Sequence, residues 1–127
     1  MANRSYSQFR FSLEKMTVDL FCRFLVGATG APTLQTTDSK GIKSIVRNGV
    51  GDYTITLSDV YRMLLCVEYV AVSATPASIN AYIKADNSAS ATPTIRIQFV
   101  SAAGTAVELS NGEDIRMEIS LRNTTAF

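Results

Sequence analysis

The sequence predicts an all-β domain, an antiparallel β-sandwich preceded by an extended N-terminal arm. Three features lead there. Apolar and polar residues alternate with a period of two through much of the chain, which sends successive side chains to opposite faces of a strand. Turn-forming residues interrupt the alternation every ~8–12 residues, the spacing of antiparallel sandwiches and barrels. No segment of helical period is long enough to carry a crossover between parallel strands, which argues against a doubly wound α/β fold.

From Lys15 onward, Met16, Val18, Leu20, Cys22, Phe24 and Val26 share one face, and Thr17, Asp19, Phe21, Arg23 and Leu25 share the other. The second face is partly apolar, so this strand is expected to be covered on both sides. Gly27-Ala-Thr-Gly-Ala-Pro32 ends it with breaker residues. Between Ile42 and Leu57, two β-rich segments flank Asn48-Gly-Val-Gly51, where glycine and asparagine supply the positive φ of a tight hairpin. Ser58 to Arg62 reads as one helical turn with Ser58 as its N-cap. Met63–Ser73 is an almost continuous apolar run, expected at the centre of a sheet. Ile79–Lys84 is a further short strand, and Asp86–Pro93 is a small, polar, flexible loop. Ile95, Ile97 and Phe99 then alternate with Arg96 and Gln98, and Ala102–Thr105 and Asn111-Gly112 mark turns. Last, Ile115, Met117, Ile119 and Leu121 oppose Arg116, Glu118, Ser120 and Arg122. About seven strands result, in one domain over residues 13–127. Residues 1–12 stand apart, mixing arginines and aromatics with polar residues. They read as an edge strand of the same sheet or as an arm that orders against a partner subunit.

A chain of 127 residues hides roughly two-thirds of its unfolded surface on folding, so no disulfide or metal staple is required. Charged residues make up 18% and hydrophobic ones 46%, and mean hydropathy is +0.13. That charge content is below the ~25% usual for soluble domains and implies apolar surface for intersubunit contacts. Twelve basic residues against eleven acidic ones, net charge +1, leave no basic footprint for phosphate neutralisation, so no nucleic-acid partner is expected. Cys22 and Cys66 both lie in apolar runs and are expected as a reduced, buried pair. Met1–Tyr6 has no apolar signal-peptide core, and Met63–Val67 and Val70–Val72 are too short to span a bilayer. A soluble protein without a membrane partner is expected.

Catalytic chemistry finds little support. The chain has no histidine, which removes the commonest general base near neutral pH and the commonest zinc ligand. Glu113 and Asp114 are adjacent, so on a strand they point to opposite faces; beside Asn111-Gly112 they read as a solvated turn. Asp52, Asp59 and Asp86 sit next to turn residues and are expected to cap local amides. Gly41-Ile-Lys-Ser44 lacks the spacing of a phosphate loop, and Gly49-Val-Gly51 leads into a strand rather than a helix. With no tryptophan, and with Tyr53, Tyr61, Tyr69 and Tyr82 in or beside strands, the tyrosines are expected in packing rather than on a sugar platform. No catalytic, cofactor-binding or metal-binding residue is assigned.

Three stretches resemble small structural proteins of tailed-bacteriophage virions: Gly27-Ala-Thr-Gly-Ala-Pro-Thr-Leu34, Ser39 through Leu57, and Gly112 through Thr125. The resemblance rests on a Gly-Ala-Pro-Thr stretch, a Gly-Ile-x-Ser-Ile-x-Arg strand, a Gly-x-Tyr-Thr hairpin return and a terminal strand ending in Asn. It implies a capsid cement or decoration protein, jelly-roll-like, made in the bacterial host cytoplasm and placed on the capsid surface of the virion. Its implied partners are the major capsid protein and further copies of itself, as a dimer or trimer, with no cofactor. On this reading Tyr6, Phe9 and Phe11 of the arm anchor the interface and Arg4 and Arg10 form its rim, the arm joining a neighbour's sheet by strand addition. A tail or head-fibre module and a glycan-binding β-sandwich are the alternatives.

Overall fold

The computed structural model describes residues 17–75 and 77–123. Wherever the alternation is strict, the inward set is buried and the outward set is not. β1 (Thr17–Val26), β2 (Pro32–Leu34), β5 (Met63–Val72) and β8 (Asp114–Arg122) form one antiparallel sheet in the order β2-β1-β8-β5. β3 (Ile42–Gly49), β4 (Asp52–Leu57), β6 (Ile79–Asn87) and β7 (Thr94–Ser101) form the other, in the order β3-β4-β7-β6. The predicted all-β antiparallel sandwich is therefore present, with eight strands among the described residues, divided four and four. Hairpins β1-β2, β3-β4 and β6-β7 stay within a sheet, and the chain changes sheet after β2, β4, β5 and β7.

The core lies between the layers. Ile115, Met117, Ile119 and Leu121 of β8 meet Ile55, Leu57, Ile95, Ile97 and Phe99 of the opposite sheet, all fully or nearly fully buried. Burying each such side chain contributes ~1.5–3 kcal/mol. A chain of aromatic rings crosses the gap twice. Phe24 of β1 touches Tyr53 of β4 at 5.6 Å between centroids, Tyr53 meets Phe99 of β7 edge-on at 5.7 Å, and Phe99 meets Tyr69 of β5 edge-on at 5.2 Å. Both tyrosines also reach across with their hydroxyls. Tyr53 donates to the Gly30 carbonyl at 2.6 Å and Tyr69 to the Ile79 carbonyl at 2.5 Å. Burial pushes the Tyr53 phenol up to about 12, which keeps it a donor at physiological pH.

The β3-β4 hairpin forms where expected, around Val50-Gly51. Gly51 has φ 63°, and a Cβ there would lie 2.3 Å from the Val107 carbonyl oxygen. Only glycine fits. Other expectations are corrected. β2 was not anticipated; it is three residues long and opens on Pro32, a position where proline's missing N–H is tolerated. Ser58–Arg62 forms no helical turn, because its amides bond elsewhere: Ser58 to the Gly41 carbonyl and Tyr61 to the Ser88 carbonyl. β6 runs on to Asn87, beyond its expected end at Lys84.

Two further corrections concern β5 and β1. Met63–Val72 is an edge strand, not a central one. Between Leu64 and Cys66 its register with β8 slips by one residue, so Leu64 points inward beside Leu121 while Cys66 aligns with outward-facing Ser120. Cys66 is exposed as a result, and only Cys22 is buried, its thiol pushed up to about 12 by burial. The outer face of β1 is open as well, with Phe21 60% exposed.

Replacing Phe99, which contacts both core tyrosines, with alanine is expected to cost about 3–5 kcal/mol. Urea denaturation followed by tyrosine fluorescence measures it; a loss below about 1 kcal/mol would show that the ring chain does not organise the core.

Candidate functional site

Arg4, Tyr6, Phe9, Arg10 and Phe11, the residues assigned to the arm interface, lie outside the described residues, as does the whole of 1–12. Among the described residues, the feature best suited to contact another macromolecule is the flank formed by β5 and β6.

These strands end their respective sheets on the same side of the sandwich. Among the described residues, β5 is ten residues long and pairs only with β8, and β6 is nine residues long and pairs only with β7. Their free edges meet no further strand among the described residues, so each presents a row of main-chain donors and acceptors. Apolar side chains surround them. Val70 is 64% exposed, Val72, Tyr82 and Ile83 are also exposed, and Phe21 of β1 adds an exposed ring. A groove of about 710 Å³ is lined by Phe21, Glu68, Val70, Asn80, Ala81 and Glu118, among others. The inner faces are thinly covered here too, since Tyr69, Ile79 and Ala81 are only half-buried.

The outer faces carry charged clusters whose members satisfy one another. On the first sheet, Arg23 donates to both carboxylate oxygens of Asp114 and to Asp38, and Arg116 closes on Asp114 at 3.0 Å. Hydrogen bonding from Arg23 holds the Asp114 carboxyl below its ordinary range. On the second sheet, Asp52 accepts from Arg96 at 2.9 and 2.6 Å, from Lys84 at 3.0 Å and from Asn48 at 3.3 Å. These donors come from β7, β6 and β3, so one carboxylate ties all four strands together. The Arg96 hydrogen bonds, more than the Lys84 and Asn48 ones, hold Asp52 well below the usual carboxylate range against the opposing effect of burial. Near the sandwich end, Arg47 pairs with Glu108.

Several expected roles change. Asp86 does cap a local amide, that of Ser88, and also accepts from the distant Leu64 amide, whereas Asp52 bonds side chains across strands. Glu113 and Asp114 point to opposite faces as expected, but Glu113 is not solvated: it is 4% exposed, and its Oε2 has no hydrogen-bond partner among the described residues. Tyr53 and Tyr61 are buried, Tyr69 is half-buried, and Tyr82 is exposed rather than packed. Among the described residues no group of three or more acidic or cysteine side chains is placed to hold a metal ion, and no helix is long and apolar enough to cross a membrane. The open flank escaped the sequence reading because the run of β5 resembled a buried strand. Its one signal is Glu68, which interrupts the apolar run on the outward face.

The Asp52 cluster sets a pH response. A folded-state pKa below the unfolded one, near 3.8, contributes stability that is complete above the unfolded value and is lost as pH falls through the folded one. Asp52→Asn is therefore expected to lower the urea midpoint at pH 7, with the gap to the parent narrowing as pH drops toward about 2. A gap that stays constant with pH would show that the carboxylate charge is not what binds the strands.

Compared with known proteins, the chain matches no family model, no curated protein and no solved structure.

Proposed function

We propose that this protein is an assembly module of a virus particle, a capsid cement or decoration protein that clamps neighbouring coat subunits. The observation that carries the reading is the β5-β6 flank: two long sheet edges, side by side, rimmed by exposed Phe21, Val70, Val72, Tyr82 and Ile83. Isolated soluble domains usually shorten, charge or cover such edges, because they template pairing with other chains. Here the guards are slight: a register slip in each strand, Glu68 on β5 and Lys84 on β6. An edge kept available suits a module whose working state is bound.

Strand addition at such an edge draws affinity from main-chain hydrogen bonds and selectivity from alternate side-chain contacts. The occupant proposed for it is an extended N-terminal arm, residues 1–12 of a neighbouring copy, whose Tyr6, Phe9 and Phe11 supply apolar contacts and whose Arg4 and Arg10 meet rim carboxylates such as Glu68 and Glu118. Each contact is modest. On a shell presenting many coat subunits, the first contact makes the later ones intramolecular and raises avidity, and binding the assembled particle in preference to free subunits stabilises it.

Co-sedimentation with empty coat-protein shells of the encoding virus tests the reading. Deleting residues 1–12, or Val70→Glu on the exposed face of β5, is expected to weaken decoration at least about tenfold with far-ultraviolet circular dichroism unchanged. Full decoration by both variants would overturn the flank-and-arm mechanism. Electron cryo-microscopy of virions gives the location: many copies over the shell support the cement role, and a few copies at the tail refute it.

A further inference from the structure

A second feature, independent of the assembly reading, lies inside the sandwich end. Glu113 immediately precedes β8 and continues the inward parity of Ile115 and Met117. Its main chain is pinned, the carbonyl accepting from the Val26 amide at 2.9 Å and the amide donating to the Ser110 carbonyl at 3.2 Å. The side chain lines a cavity of about 380 Å³ walled by Tyr69, Ala71, Ser73, Ala77, Ile79 and Leu109. Ala71 and Ala77 are exposed, so solvent reaches the cavity past them, whereas Leu109 and Glu113 are buried.

The carboxylate lacks a donor that the described residues can supply. Oε2 is buried and unpartnered, and such a group costs several kcal/mol unless it is paired. The two phenols closest in electrostatic effect are already committed: Tyr69 donates to Ile79 and Tyr53 to Gly30. Burial first and the nearby charge of Glu113 second push the Tyr69 phenol up. A single water takes up about 30 Å³ of liquid, far less than this space. Tyr69, Ile79 and Leu109 offer apolar surface for a short hydrocarbon body, while Glu113 calls for one charged donor head and Ser73 adds a polar side chain to the wall.

We infer that this cavity is a binding site for an alkylammonium group, a short apolar stem resting on Tyr69, Ile79 and Leu109 with its primary ammonium on Glu113. A compact ammonium suits one orphaned oxygen, whereas a guanidinium fork uses both oxygens of a carboxylate. The chemistry is shared by a free aliphatic amine and by a lysine side chain of another protein.

Titration of the full-length protein with n-butylammonium chloride, against sodium chloride at matched ionic strength and against 1-butanol, tests the site by two-dimensional 1H–15N NMR. Saturable shifts are expected at the amides of Tyr69, Ala71, Ala77, Ile79 and Leu109, with a dissociation constant on the order of 1 mM. Glu113→Gln, nearly isosteric, is expected to weaken binding at least about tenfold. Ala71→Leu, which crowds the entrance and keeps the carboxylate, supplies a second test should the first variant not fold. Two further arms, putrescine and N-acetyl-lysine methylamide, assign the source: tighter binding of the former indicates a free amine, and of the latter a protein lysine. Shifts no different from those in sodium chloride, equal binding of 1-butanol, or undiminished binding by a folded Glu113→Gln protein would each overturn the assignment.

Discussion

The contact on which the rest of this structure depends is the line of four aromatic rings, Phe24, Tyr53, Phe99 and Tyr69, that passes from one sheet to the other and back. Two β-sheets held by aliphatic burial alone can slide, because dispersion and the hydrophobic effect have little direction. Edge-on rings fix an angle as well as a distance. The tyrosine hydroxyls add direction of another kind, each bonding a carbonyl that belongs to the opposing layer or to the turn leading from it. Tyr53 thereby sets the position of the Ala28–Gly30 turn, where Gly30 comes so near Glu108 and Tyr53 that a Cβ has no room. That turn then feeds β2, and the short strand closes one side of the first sheet.

Closure on that side and openness on the other give the molecule its polarity. Beyond the reach of β2, the edge of β1 is bonded by a side chain: Ser39 accepts from the Arg23 amide and donates to the Arg23 carbonyl, and the Gln35 amide donates to the same carbonyl. A loop does there what a strand does elsewhere. Along the free edge of β5 the Leu64 amide, at the start of the strand, donates to Asp86, and no other such bond is made among the described residues. From Val67 onward the edge of β5 meets no further strand among the described residues, and exposed Val70 and Val72 lie beside it. The same thinning of the layers at β5 and β6 leaves the space above Glu113, so the two candidate binding features share one structural cause. Aliphatic and aromatic residues do not fill this end of the sandwich as they fill its middle.

The two faces treat charge differently. Outside, carboxylates are surrounded by arginines and lysines from neighbouring strands, and the Asp52 and Asp114 clusters act as polar cross-links over their sheets. The exposure of the basic partners keeps each pair modest on its own, but a carboxylate shared among strands penalises any register slip that would separate the partners. Inside, Glu113 has no such arrangement. A native structure satisfies nearly all its buried polar atoms, which is what makes this one informative.

Much of this was legible in the residues themselves. Inward and outward faces of β1, β4, β7 and β8 follow from alternation, because a strand's side-chain period is set by its own backbone and needs no knowledge of neighbours. The hairpin at Val50-Gly51 was likewise local, written in a residue able to take positive φ. Strand order was not legible, nor was the edge position of β5: an apolar run reads the same whether its outward face is covered or bare. The face of Cys66 depended on a one-residue slip against β8, and the burial of Glu113 on where Val26, Ser110 and Tyr69 happened to converge. These are properties of pairs far apart in the chain. A sequence records each residue's preference for water, and only the folded chain decides which other residues stand between it and water.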